Sequence, residues 1–236
     1  MVYEGGMEGF VFRCLRGNAE EFLAVDQPAE ALSRRGQLPG AFGYDRAAHL
    51  FRTLQAEGSD AVDLLPAAFP TSWMVNAKAT SRTFVHWTAA EATWVELFAV
   101  LRFDQSTEDW TRLPEADRKA VGAAITALSS VPGATLCAVT KVLALLRPQL
   151  VPLMDDAAIW FARDAVPEPT SADGPSAGPE HFLPMMDWFA EEAKRSDAAL
   201  IELARTHTLA VVDAPQVLDR LLWWASWGRR LLEAKT

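Results

Sequence analysis

The chain has 236 residues, 50% of them hydrophobic, which is enough to bury a core and too apolar for a disordered tail. Its net charge of −9 excludes a domain that holds nucleic acid by bulk positive charge, although it leaves room for a local basic face. Two cysteines, Cys14 and Cys137, exclude a disulfide framework and a cysteine-rich zinc or iron–sulfur site. No apolar run approaches the roughly 20 residues needed to cross a bilayer. The opening MVYEGGMEGF lacks a basic-then-apolar leader pattern. A cytoplasmic protein without membrane association is the expectation.

In chain order, the first 40 residues are the least regular. GFVFRCL and EEFLAV are compatible with short strands or with irregular structure. SRRGQLPG (Ser33–Gly40) is a basic loop. YDRAAHLFRTLQAEG (Tyr44–Gly58) reads as a helix with Leu50, Phe51 and Leu54 inward and Gly58 as its stop. The segment from Thr71 to Trp87 mixes Trp73, Asn76, Lys78, Ser81, Arg82 and His86, and reads as a polar loop that could line a pocket. TAAEATWVELFAVLRFD carries a capping box, Thr88 with Glu91 three residues on. Its Trp94, Leu97, Phe98 and Leu101 share one helical face. LPEADRKAVGAAITALSS begins with Pro114 and acids, both helix-start chemistry. ATLCAVTKVLALL is apolar nearly all round except Thr140 and Lys141, which makes it a central helix. Residues 164–181, rich in Pro, Gly, Ser and Ala, read as a mobile loop. LPMMDWFAEEAKRS, DAALIELARTH and a C-terminal segment from Val212 read as helices, the last with Asp213 as N-cap. The fold class is therefore all-α, eight or more helices, with a small irregular N-terminal segment. It forms one helical globular domain in two lobes over 1–236.

The stretch VPGATLCAVTKVLALLRPQLVPLMDD (Val131–Asp156) carries the most information. Two helices flank Pro132-Gly133, so they form a tight hairpin, and Gly133 can take a positive φ. Near Gly133, Ala134 and Thr135 the second helix begins, where backbone amides lack intrahelical partners and favour a phosphate. Arg147-Pro148 stops that helix. QLVPLM then returns in extended form to Asp155, 22 residues after Gly133. As an N-cap Asp155 would contribute about 1 kcal/mol; as a catalytic group it would face the groove beside the hairpin. Asp156 reads as a first-turn acid.

This stretch resembles the helix-hairpin-helix DNA glycosylase superfamily, in which an apolar-Pro-Gly hairpin leads into a buried helix, an extended Pro-containing turn and an essential Asp. It is more closely similar to a family of uncharacterised bacterial proteins that share a K-x-L-x-x-x-R-P-x-L-x-P-x-x-D box and a late LD-x-x-x-W segment. Here these are Lys141, Leu143, Arg147, Pro148, Leu150, Pro152 and Asp155, then Leu218, Asp219 and Trp223. The match covers about residues 120–165 and 213–227, with hairpin and Asp motif together at 114–163. The resemblance implies excision of a damaged or modified base, such as one in phage DNA. The target nucleotide is flipped out of the duplex, and its glycosidic bond breaks through an oxocarbenium-like state. It implies Asp155 as the catalytic carboxylate. It also implies Pro132, Gly133, Ala134 and Thr135 as DNA contacts, and no cofactor. In bifunctional members a lysine early in the second hairpin helix attacks the sugar; Cys137 stands at that position and Lys141 lies one turn on, so a monofunctional enzyme is implied. Thr135 replaces the usual second hairpin glycine.

Several residues have two readings. Lys141 and Arg147 could touch DNA phosphates, or Lys141 could snorkel from a buried helix and Arg147 could pair with Asp155 or Asp156. His49, His86, His181 and His207 show no metal spacing and read as structural. Trp223, Trp224 and Trp227 read as core against the hairpin. The expectation is a monomeric, monofunctional DNA glycosylase acting on double-stranded DNA, with a non-catalytic DNA- or protein-binding helical module as the alternative.

Overall fold

The computed structural model describes residues 2–3, 9–16, 19–26, 39–74, 79–154, 158–159, 178–206, 214–219 and 222, with side chains from Ala47 onward. The N-terminal segment is a three-stranded antiparallel sheet of β1 (Val2–Tyr3), β2 (Gly9–Arg16) and β3 (Ala19–Asp26) in the order β1-β2-β3. Phe10 pairs with Val25, Phe12 with Leu23 and Arg16 with Ala19. The strand alternative for GFVFRCL and EEFLAV is the one realised. Everything described after this sheet is helical or connecting chain, so the all-α expectation holds for the body of the protein.

That body contains, among the described residues, α1 (Pro39–Ala56), α2 (Ala61–Met74), α3 (Ser81–Ala89), α4 (Glu91–Val100) and the single turn α5 (Thr107–Trp110). Then come α6 (Glu115–Ser129), α7 (Leu136–Leu146), a 3₁₀ turn (Pro179–His181), α8 (Phe182–Arg195) and α9 (Asp197–Thr206). Residues 214–219 are helical as well. Helix α1 ends as its sequence predicts. Gly58 takes φ 104°, its amide donates to Gln55 O at 3.0 Å, and Ser59 N reaches back to Leu54 O at 2.9 Å. This is the paired closure that a left-handed glycine allows. Leu50, expected inward, is 56% exposed, because the buried face of α1 runs through Ala48, Phe51 and Gln55.

The predicted capping box at Thr88 is not used. Thr88 lies inside α3 and its hydroxyl bonds back to Phe84 O at 2.9 Å. The cap that operates belongs to α3: Thr80 and Thr83 exchange side-chain and backbone bonds at 3.2 Å. Helix α4 then starts after a break at Ala90 with no side-chain cap. The face read from its sequence is correct, since Trp94, Leu97, Phe98 and Leu101 are all buried.

Helix α7 is the centre of the body. Leu136 and every residue from Ala138 to Leu146 are buried, and α1, α2 and α6 pack around it. Burying one such leucine contributes about 2 kcal/mol, so this helix organises the core. Beside it an aromatic chain runs from Phe69 of α2 through Trp87 of α3 (5.3 Å between rings) to Trp94 and Phe98 of α4 (5.9 Å at each step). Trp87 also donates its indole N–H to Leu128 O at 3.0 Å, which fastens α3 to the end of α6.

Candidate functional site

Helices α6 and α7 form the expected hairpin. In the loop between them Ala134 N bonds to Val131 O at 3.0 Å, and Gly133 has φ 78°. Glycine is required there for two reasons. A side chain resists positive φ, and a Cβ at this position would stand 2.7 Å from Thr83 Oγ1. Thr83 in turn donates to Pro132 O at 3.1 Å. The loop therefore rests on the capped start of α3, and the N-termini of α3 and α7 flank it. Pro132, Gly133 and Thr135 are exposed and Ala134 is half-buried.

Thr135 is the N-cap of α7. Its hydroxyl accepts from Ala138 N at 3.1 Å. One of the helix's orphan amides is thus taken by the protein itself. Cys137 sits half-buried in the first turn.

Two predicted DNA contacts, Arg147 and Lys141, are buried. Arg147 is only 4% exposed. Its guanidinium donates to Leu101 O at 2.6 Å, to Leu146 O at 2.7 Å and to Gln55 Oε1. It also lies over the Phe98 ring at 4.8 Å. Burial pushes its pKa down to about 10, against a pull upward from Asp60 and Asp104, so it stays charged at neutral pH. This arginine is a core tie for α1, α4 and α7. Lys141 is 7% exposed, within the apolar length of α7, and does not belong to the hairpin tip. The reason is the same for both: α7 is enclosed on every side, so a basic residue on it has no free surface to occupy.

The return segment is held by side chains. Leu150 N and Val151 N close on Arg147 O at 3.0 and 2.9 Å. Pro152 has no amide. Leu153 N donates to Asp219 Oδ1 at 2.9 Å, and Met154 N to Thr140 Oγ1 at 3.2 Å. The Thr140 hydroxyl also faces Cys137 O at 3.3 Å and Met154 O at 3.4 Å. The chain thus comes back beside the second turn of α7, one residue before Asp155. Asp155 and Asp156 lie outside the described residues, as do Lys78, His207, Trp223, Trp224, Trp227 and 33–38 of the basic loop. Ser81 and Arg82 are exposed on the first turn of α3, so the stretch expected as a polar loop is largely the end of α2 and the start of α3.

A second feature was not read from the sequence. Asp187 of α8 accepts the Trp110 indole N–H at 2.7 Å and both of its oxygens meet Arg118 Nη2 at 2.5 Å. Arg118 also lies 5.4 Å from the centre of the Trp110 ring. The pair sits in an open groove of about 520 Å³ lined by Leu113, Glu115, Lys119, Leu183 and Pro184 as well. Lys119 is paired with Glu115 at 2.6 Å, so the groove's charges are balanced within it. Among the four histidines, His181 is fully buried, with Nδ1 on Gly178 at 3.1 Å.

Among the described residues no group of His, Cys, Asp or Glu is arranged to hold a metal ion, and no helix is long and apolar enough to cross a membrane. Compared with protein-family models, with curated proteins and with solved structures, the chain matches none.

Proposed function

We propose that this chain is a monofunctional DNA glycosylase-like hydrolase that removes a damaged or modified base from duplex DNA. One observation carries the reading. The return segment is fastened to Asp219 at Leu153 and to Thr140 of α7 at Met154, so the residue that precedes Asp155 is held against the helix that the exposed hairpin begins. In this reading the Pro132–Thr135 loop takes a phosphate and Asp155 takes the sugar. The reaction is a hydrolysis. The bond from sugar C1′ to the base nitrogen breaks, the base leaves with a proton, and water adds to C1′. The Asp155 carboxylate stabilises the cationic sugar or orients that water. Extruding the target nucleotide precedes the chemistry.

Counting abasic sites tests this. Purified protein is incubated with normal, alkylated and phage-modified genomic DNA. The wild type should generate abasic sites on at least one of them, and Asp155→Asn should slow release on the order of 100-fold. No abasic sites on any DNA, or equal release by the variant, overturns the reading.

The burial of Lys141 and Arg147 favours a second reading, because it removes the two cations expected on phosphate. In that reading the hairpin is retained in a non-catalytic module that binds DNA or a protein. Asp155→Asn would then cost about 1 kcal/mol of stability, the worth of a cap, and duplex binding would survive without base release.

A further inference from the structure

We infer that Asp219 is a positioning residue for Asp155; this rests on the glycosylase reading above. The inference follows from where backbone amides go. Between the end of α7 and Asp155 the last three described residues are Pro152, Leu153 and Met154. Proline has no N–H, and no strand or helix ladder serves the other two. Leu153 N is taken by the Asp219 carboxylate and Met154 N by the Thr140 hydroxyl. Amides withdrawn from solvent must find acceptors, so these two side chains fix the backbone at Leu153 and Met154, the two residues before Asp155.

The two anchors differ in kind. Thr140 is itself fully buried on α7 and is fixed with it. Asp219 sits more than sixty residues later, on helical residues 214–219, half-buried beside Val217 and Leu218, which are fully buried. Ala214, Val217 and Leu218 fall at i, i+3 and i+4, so one helical face seats this element in the core and aims the carboxylate at Leu153. The bond is charge-assisted, a strong type for an amide. A displacement of about 1 Å in a reacting group can cost on the order of 100-fold in rate. A carboxylate two residues from Asp155 is well placed to prevent one.

The test compares Asp219→Ala, which removes the acceptor, with Asp219→Asn, which keeps an acceptor oxygen without the charge. Base release, duplex affinity and hydrogen exchange at the Leu153 amide are measured for each. Asp219→Ala should lower kcat on the order of 100-fold, leave duplex affinity unchanged, and speed Leu153 exchange about 10-fold or more. Asp219→Asn should restore release to within a few-fold and return exchange towards wild type. Unchanged release per folded molecule in Asp219→Ala overturns the inference and makes the bond structural only. Asp219→Asn as slow as Asp219→Ala also overturns it, because the charge would then act in its own right. A wild type inactive on every DNA overturns the glycosylase reading and the catalytic sense of the clamp together. The Leu153 exchange separates that case from a clamp that does not exist, since faster exchange in Asp219→Ala still registers the bond.

Discussion

The two ends of α7 handle their polar groups in opposite ways. At the N-terminal end a neutral loop, Pro132 to Thr135, reaches solvent and is held by hydroxyls from Thr83 and Thr135 itself. At the C-terminal end a charged residue, Arg147, is withdrawn from solvent and satisfied by two backbone carbonyls and Gln55. A cation has ended up inside and amides outside. On an enclosed helix, basic residues are structural and the surface available to an anion is backbone. A protein with net charge −9 can then still offer donors at one point.

The strongest way to break the comparison is at the buried end. Arg147→Met keeps the volume and removes the donors, leaving Leu101 O and Gln55 Oε1 without them. We expect a loss of about 3 kcal/mol, read as a shift in the denaturant midpoint. The charge itself costs stability, since burial holds the folded pKa near 10, below the ordinary arginine value. That cost is present at every pH below about 10 and is relieved as pH rises through it, so the gap between wild type and variant should be flat across the neutral range. If Arg147→Met were silent in stability and weakened duplex binding instead, the assignment of this end to the core would fall.

Gly133→Ala tests the exposed end. Positive φ and the approach of Thr83 Oγ1 should together cost about 2 kcal/mol. In a Thr83→Ala background only the backbone part, about 1 kcal/mol, should remain, because the clash is gone. Equal costs in the two backgrounds would show that the loop does not rest on α3. Between the two ends, Thr140→Val keeps the shape and deletes the hydroxyl that anchors Met154. The expected loss is about 1.5 kcal/mol, measured by the same unfolding assay.

The sequence was legible where pattern and chemistry agreed. The span of α7 and its burial, the Gly58 stop and the Pro114 start all follow from period and end signals. Helix α2 was missed. It contains Pro66 and Pro70, which interrupt a helical pattern, yet both are exposed while Leu65, Ala68 and Phe69 carry the buried face. The sheet was only half seen, although a Gly17-Asn18 pair between two apolar runs is a hairpin signal. In the site, the hairpin glycine was legible from local chemistry. The destinations of Lys141 and Arg147 were not, because they depend on α1, α2 and α6 packing around α7, a tertiary fact with no local mark. Thr140 and Asp219 lie between these cases. A lone hydroxyl in an apolar helix signals a bonding partner, but which amide it takes is visible only once the return segment is folded.

Thr135 gives the smallest effect and the sharpest separation of structure from binding. Thr135→Ala should lose about 1 kcal/mol with the cap, and Thr135→Gly only a few tenths. Thr135→Asp keeps a cap and places a negative charge at the helix N-terminus, which the dipole favours, so stability should hold or rise by about 0.5 kcal/mol. If the loop grips phosphate, that same charge repels the backbone. Duplex affinity, measured by fluorescence anisotropy at low salt, should fall several-fold in Thr135→Asp and rise in Thr135→Gly, where the side chain no longer crowds the amides. Stability and affinity would then move in opposite directions within one residue. Affinity indifferent to all three substitutions would mean that the exposed end of α7 is open to solvent without serving DNA, and the contrast between the two ends would be one of packing alone.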